Sequence, residues 1–245
     1  MKNIETYAEN YMNDYQFEVE MVRYRRDFVL TQLHNLSPQS VLEIGCGAEL
    51  QAKKYYSEGG RWENWQIVEP SDVFIKGAQK TNLPNLEIIK GFFEDINSEL
   101  IKEPDLIICS GLLHEVPNAD KLIKAIVACM GPDSILHVNV PNALSFHRRL
   151  AVAMGIIKET KELSARNISL QQTRVYDIST LKLHLESFEL TTIKNGGYFL
   201  KPFTHNQMEQ ITKILGKEIL EGLNILGQQE PHLASEIYIE LKRKF

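Results

Sequence analysis

Cysteine is scarce and poorly placed for cross-linking: Cys46, Cys109 and Cys129 lie far apart, with no paired metal-ligand spacing. A disulfide framework and a zinc site are therefore not expected, and no cluster of Asp, Glu and His suggests another metal. The opening residues MKNIETYAEN are polar and lack the apolar stretch of a signal peptide. No run of about 20 uncharged apolar residues is present to cross a bilayer. These absences lead to the expectation of a cytoplasmic, reducing setting without a membrane span. Long basic runs are missing too, and the net charge is -5. Strong attraction to a phosphate backbone is not expected, which sets nucleic acid aside as a partner.

What is present centres on Val41 to Leu50, VLEIGCGAEL. Val41, Leu42 and Ile44 read as a short buried strand that turns sharply at Gly45 and Gly47. Glycine lets a backbone turn and approach a ligand closely, so Gly45-Cys46-Gly47 is a floor for a flat or extended cofactor. Glu43 sits within the strand, where its carboxylate could meet a cation or hydroxyls. About twenty residues on, Trp65-Gln66-Ile67-Val68-Glu69-Pro70 supplies a second strand ending in an acid, the place where a Rossmann-type unit receives ribose hydroxyls. A dinucleotide fingerprint needs a third glycine at position 50, which is Leu, and a diphosphate cofactor is disfavoured.

VLEIGCGAE followed by VEP resembles the class I S-adenosylmethionine-dependent methyltransferases. The resemblance implies S-adenosylmethionine as cofactor and S-adenosylhomocysteine as product. It implies that Glu43, Gly45 and Gly47 receive the methionine part and Glu69 the ribose. It also implies an acid after the third strand on the adenine amino group, with an apolar neighbour on the ring: Glu94 and Phe93, with Asp95 and Phe92 as alternatives. Ser110, ending the fourth strand, falls beside the cofactor. The Asn/Asp-Pro-Pro-Tyr/Phe signature is missing there, which counts against nucleobase or glutamine-amide nitrogens as acceptors. The runs GGYFLKPF and VPNALSFHRRLAVAMG resemble a bacterial subgroup, some of it associated with surface glycan or secondary metabolite pathways.

Strands and helices alternate regularly up to Pro141, which predicts an α/β fold with a doubly wound, mostly parallel sheet. By resemblance it is the seven-stranded Rossmann-like methyltransferase sheet, closing antiparallel. The expected organisation is a helical lid over 1–36, a cofactor-binding core over 37–142, and 143–245 supplying insertion helices, the last strands and the acceptor pocket. The sixth strand is predicted over Phe188 to Lys194, with Asn195-Gly196-Gly197 following as irregular chain. Tyr11 and Tyr15 are candidate lid contacts.

A hydroxyl acceptor must lose a proton, and histidine is the natural base near neutrality. His114, after the fourth strand, is the first candidate and His147, in the insertion, the second. Arg174 and Tyr176 could hold an anionic or polyhydroxylated acceptor. Tyr198, Lys201, His205, Asn206 and Gln207 mix rings and amides in the manner of a sugar site. The expected function is methyl transfer to a small-molecule or glycan- or lipid-linked acceptor, at oxygen, with a homodimer allowed. The alternatives are an NAD-dependent oxidoreductase and an inactive methyltransferase-fold partner protein.

Overall fold

The structure is a computed structural model, and it describes residues 4, 17–163, 167, 168 and 172–244. Tyr11 and Tyr15 lie outside the described residues. Helix α1 (Glu18–Leu36) leads into β1 (Ser40–Ile44), α2 (Gln51–Ser57), β2 (Asn64–Glu69), α3 (Asp72–Gln79) and β3 (Leu86–Lys90). Then come β4 (Leu106–Ser110), α4 (Ala119–Cys129), β5 (Ile135–Pro141), α5 (Phe146–Ala153) and α6 (Ile178–Glu186). The order closes with β6 (Leu190–Tyr198), α7 (His205–Leu215), α8 (Glu218–Gln229) and β7 (Glu236–Arg243).

The strands form one seven-stranded sheet in the order β3-β2-β1-β4-β5-β7-β6. The pairs from β3 through β5 are parallel, and β7 runs antiparallel to both β5 and β6. Alternate residues face opposite sides. Leu42, Ile44, Ile107 and Cys109 join one core with Leu122, Ile123 and Ile126 of α4 and Leu181 and Leu185 of α6. Val41, Trp65, Ile67, Leu106 and Ile108 join a second with Val29, Leu30 and Leu33 of α1, Tyr55 of α2 and Phe74 of α3. Burial on both faces explains why these strands read as nearly unbroken apolar runs.

A third core fastens α1 to the antiparallel end: Phe17, Met21 and Tyr24 pack with Tyr198, Phe199, Met208, Leu220, Leu223 and Tyr238. Side-chain caps fix the helices here. Asp177 accepts from Thr180 N to start α6, and Thr204 with Gln207 forms a capping box on α7.

The sixth strand departs from its expected bounds. It begins at Leu190 and carries through Asn195, Gly196 and Gly197 to Tyr198, with a register shift between Thr192 and Lys194. The two glycines belong in the strand because side chains there would collide. A Cβ on Gly196 would lie 2.8 Å from the Tyr238 ring, and one on Gly197 2.9 Å from the Glu236 carbonyl. Among the described residues, no helix is long and apolar enough to cross a membrane.

Candidate active site

A cavity of about 330 Å³ opens at the carboxyl ends of β1, β2 and β4. Between β1 and β4 the order of winding reverses, the position where α/β sheets leave a crevice for ligands. Its volume lies in the range of about 300–1,000 Å³ usual for small-molecule sites.

Its floor is the turn after β1. Gly45 and Gly47 have φ of +75° and +59°, a region costly for residues with a Cβ. Gly45 N donates to the Val68 carbonyl at 2.9 Å. A Cβ on Gly47 would meet nothing within 4 Å, so its open side is free for a ligand. Glu69, only 3% exposed, braces the turn. Its Oε2 accepts from Cys46 N at 3.1 Å, and its Oε1 from Ser71 N at 2.9 Å. Burial raises its pKa, opposed by the amide donors from Ser71 and Cys46. Cys46 Sγ reaches the same Oε2 at 3.7 Å, while Oε1 keeps a second lone pair, so Glu69 can brace the turn and still accept from a ligand's hydroxyl.

Glu43 lies one layer below, accepting from Trp65 Nε1 at 3.0 Å. Burial pushes its pKa up to about 7, against the opposing effect of that hydrogen bond. Leu50, where a dinucleotide site needs glycine, is buried in the second core. A glycine at that position is what lets helix and strand pack closely in a dinucleotide site.

On the β2–β3 side, Phe92, Phe93 and Glu94 line the cavity. Phe93 is buried at the start of a short 3-10 turn, Phe93–Asp95. Asp95 is not on the wall and pairs instead with Lys121.

The opposite end is polar. Ser110, His114, His147, Lys201 and His205 all line it, brought from β4, the loop after it, α5, the β6–α7 connection and α7. His114 is 4% exposed, and its Nε2 lies 3.6 Å from Glu115 Oε1. Burial, reinforced by Lys201, Arg148 and His205, holds His147 well below its ordinary value of 6.5, so the ring is neutral at physiological pH.

Five residues considered for the acceptor lie off the wall. Tyr198 is buried in the third core with its hydroxyl 3.3 Å from Glu236 Oε2. Tyr176 is buried in the first core, its hydroxyl 2.8 Å from His184 Nδ1. Arg174 reaches the Pro117 carbonyl at 3.4 Å. Asn206 and Gln207 are exposed, Gln207 being used in the α7 cap. Of the excursion between β6 and β7, Lys201 and His205 reach the cavity, whereas Leu220 and Leu223 of α8 turn into the third core.

Residues passed over in the sequence complete the wall. Arg25 and Arg26 come from α1. Arg25 pairs with Glu236 at 2.6 Å and with Glu18 at 3.6 Å, and Asn139 Nδ2 donates to the same Glu236 at 3.2 Å. Arg26 donates to the Leu50 carbonyl at 2.7 Å and pairs with Glu49. A signal was available: Arg25 falls four residues after Met21 and four before Val29, in the apolar stripe of a helix, where a charge needs a buried partner.

A family model described as a methyltransferase domain matches residues 15–195. A ubiquinone biosynthesis O-methyltransferase of Actinobacillus pleuropneumoniae is 25% identical over 122 residues, 48% of this chain and 52% of that protein. Its counterpart from Vibrio vulnificus is 28% identical over 109 residues, 44% and 46% of the two chains. The chain thus spans about half the length of the curated relatives it matches. Among solved structures, the plantazolicin methyltransferase BpumL with S-adenosylhomocysteine and a triazolic desmethylPZN analogue superposes with a TM-score of 0.60 at 14% identity, over 98% of this chain and 90% of that one. The N-methyltransferase NodS from Bradyrhizobium japonicum gives 0.55 at 12% identity, over 94% and 97%. At such identities the structural likeness bears on the fold alone.

Proposed function

Because the chain belongs to the methyltransferase-domain family, in the class I S-adenosylmethionine-dependent group, we propose that it moves the methyl group of S-adenosylmethionine to an oxygen of a small or carrier-linked acceptor. The observation that carries this reading is the open cavity over the Gly45–Gly47 turn, with Glu69 on its wall and still able to accept hydrogen bonds. In this reading Glu69 takes the ribose hydroxyls, Phe93 and Glu94 the adenine, and Gly45, Gly47 and Glu43 the methionine portion.

When bound, the cofactor supplies a methyl already activated on a sulfonium. The protein's share is alignment and exclusion of water, together with removal of the acceptor's proton. His114 takes that proton, its ring beside Glu115, and His147 stands as the alternative base. Oxygen is favoured over nitrogen by the O-methyltransferase relatives and by these two histidines on the wall.

Titration calorimetry with S-adenosylhomocysteine tests the cofactor half, and absence of heat at high protein concentration would reject it. Incubation with methyl-labelled cofactor and a metabolite pool tests the rest. Label that survives alkaline hydrolysis as an amine adduct, and never as an ether or ester, would overturn the assignment to oxygen.

A further inference from the structure

The loop after β4 carries His114 and Glu115 side by side on the cavity wall, and it lies outside any helix or strand. A strap from further along the chain holds it. Thr173 N donates to the His114 carbonyl at 3.1 Å, and the Thr173 hydroxyl reaches the Val116 and His114 carbonyls at 3.2 and 3.4 Å. Gln172 Nε2 donates to Glu115 Oε1 at 3.3 Å, and Arg174 Nη2 to the Pro117 carbonyl at 3.4 Å. Each residue from His114 to Pro117 is thus gripped from the segment 172–174.

The strap is itself fastened on both sides. Before it, Arg148 of α5 donates to the Thr160 and Glu162 carbonyls and reaches Asn167 Oδ1 at 3.5 Å. Asn167 Nδ2 in turn donates to Gln172 Oε1. A guanidinium can only donate, so this order fixes both amides: each turns its oxygen toward Arg148 and its nitrogen toward Glu115. After it, the Tyr176 carbonyl accepts from Ala143 N at 2.7 Å, and the Tyr176 hydroxyl lies 2.8 Å from His184 Nδ1. His184 Nε2 lies 2.9 Å from Asp120 Oδ1 in the first turn of α4, the helix that follows the His114 loop. The strap therefore closes on the element next to the loop it holds.

We propose that Gln172 and Thr173 are positioning residues: Thr173 fixes the loop and Gln172 aims the Glu115 carboxylate, so that His114 becomes an imidazolium with an anion beside it. The proposal rests on the reading of His114 as the proton acceptor in methyl transfer. The acceptor's proton passes to that imidazole as the oxygen's electron pair bonds the methyl carbon, and the carbon–sulfur pair stays on sulfur. The His114 Nε2 then stands as part of a cation 3.6 Å from Glu115 Oε1, and a buried charge gains most from a partner already in place. Gln172 and Thr173 act through these two residues and supply no atom to the reaction.

The test follows His114 by NMR in protein carrying 15N-labelled histidine, with and without S-adenosylhomocysteine, its signal assigned by its loss in H114Q. E115Q should lower the pH at which the ring titrates by about 1 pH unit or more, and Q172L should shift it the same way by about half as much. The other charges on this wall are Arg25 with Glu236, His205 with Glu18, and Arg148 and Lys201 beside His147. They are common to all the proteins compared, so the difference reads Glu115. T173V keeps the shape of the side chain but loses the hydroxyl; it should shift or broaden the signal, and T173S should restore it. With methyl-labelled cofactor and a metabolite extract, Q172L and T173V should label at a maximal rate about ten-fold lower, while the half-saturating dilution of the extract and S-adenosylhomocysteine affinity each stay within about three-fold. A His114 signal and titration unaltered in E115Q, Q172L and T173V overturns the proposal, and so does a T173S as impaired as T173V. Should wild-type protein take up no S-adenosylhomocysteine while the ring still responds to these variants, the methyl-transfer reading falls and the arrangement of Gln172, Glu115 and His114 stands.

Discussion

Replacing Glu43 by Gln isolates the energetic consequence of a carboxyl group buried beneath the site. Gln keeps the shape and can still accept the Trp65 Nε1 hydrogen bond, but it cannot ionise. In the folded protein Glu43 titrates near 7 instead of its ordinary 4.5 because it is buried, at 4% exposure. A group whose pKa is raised by folding favours the fold below its unfolded value, and that benefit is lost as pH climbs through the folded value. Wild-type stability relative to E43Q should therefore fall from about pH 4.5 to 7 and level off above. At about 1.4 kcal/mol per pH unit the full change is about 3 kcal/mol. Urea unfolding of both proteins at pH 5, 6, 7 and 8.5 measures it, and curves that stay parallel across this range refute the reasoning. A cationic ligand group near the carboxylate favours the ionised form, so S-adenosylhomocysteine should bind more tightly as pH rises through 7 in the wild type and show a flatter profile in E43Q.

Glu69→Ala removes the acceptor of Cys46 N and Ser71 N together with the proposed ribose contact. S-adenosylhomocysteine affinity should fall at least ten-fold by calorimetry, and unchanged affinity would strike out the assignment. His114→Ala should lower kcat by about 10²–10⁴ while cofactor affinity stays within about three-fold; wild-type turnover would move the proton acceptor to His147. Arg25→Met leaves Glu236 buried without its 2.6 Å cation, and a loss of about 3–5 kcal/mol in urea unfolding is expected. A loss below about 1 kcal/mol would mean that Asn139 and Tyr198 alone suffice for that carboxylate.

The parallel half of the sheet is plain in the sequence because β1, β2, β4 and β5 are buried on both faces, and the edge strand β3 lies between Asn85 and Gly91. The Gly45–Gly47 turn and Glu69 are legible because each stands at the end of an apolar strand, although Glu69 braces the turn from 23 residues away. The antiparallel half obeys longer-range rules. Asn195-Gly196-Gly197 has the composition of a loop, yet it is strand because Tyr238 and the Glu236 carbonyl press against it. Tyr198 looks like a ring for a sugar, but its side of β6 meets Phe28 at 5.1 Å between ring centroids, in the third core. Arg148 gives little local signal, since its role depends on which carbonyls the following loop brings back to it.

The position of β7 has a further consequence. It is the last strand in chain order, yet it fills a slot between β5 and β6, each of which pairs with it along most of its length. Until it arrives, two open edges face one another across a gap one strand wide, and either can accept the same segment from another molecule. A strand held on both sides in this way is the segment that an exchange between copies would use. Because Glu236, the first residue of that strand, anchors Arg25, a molecule whose β7 slot stands empty also lacks the anchor that holds α1 over the crevice.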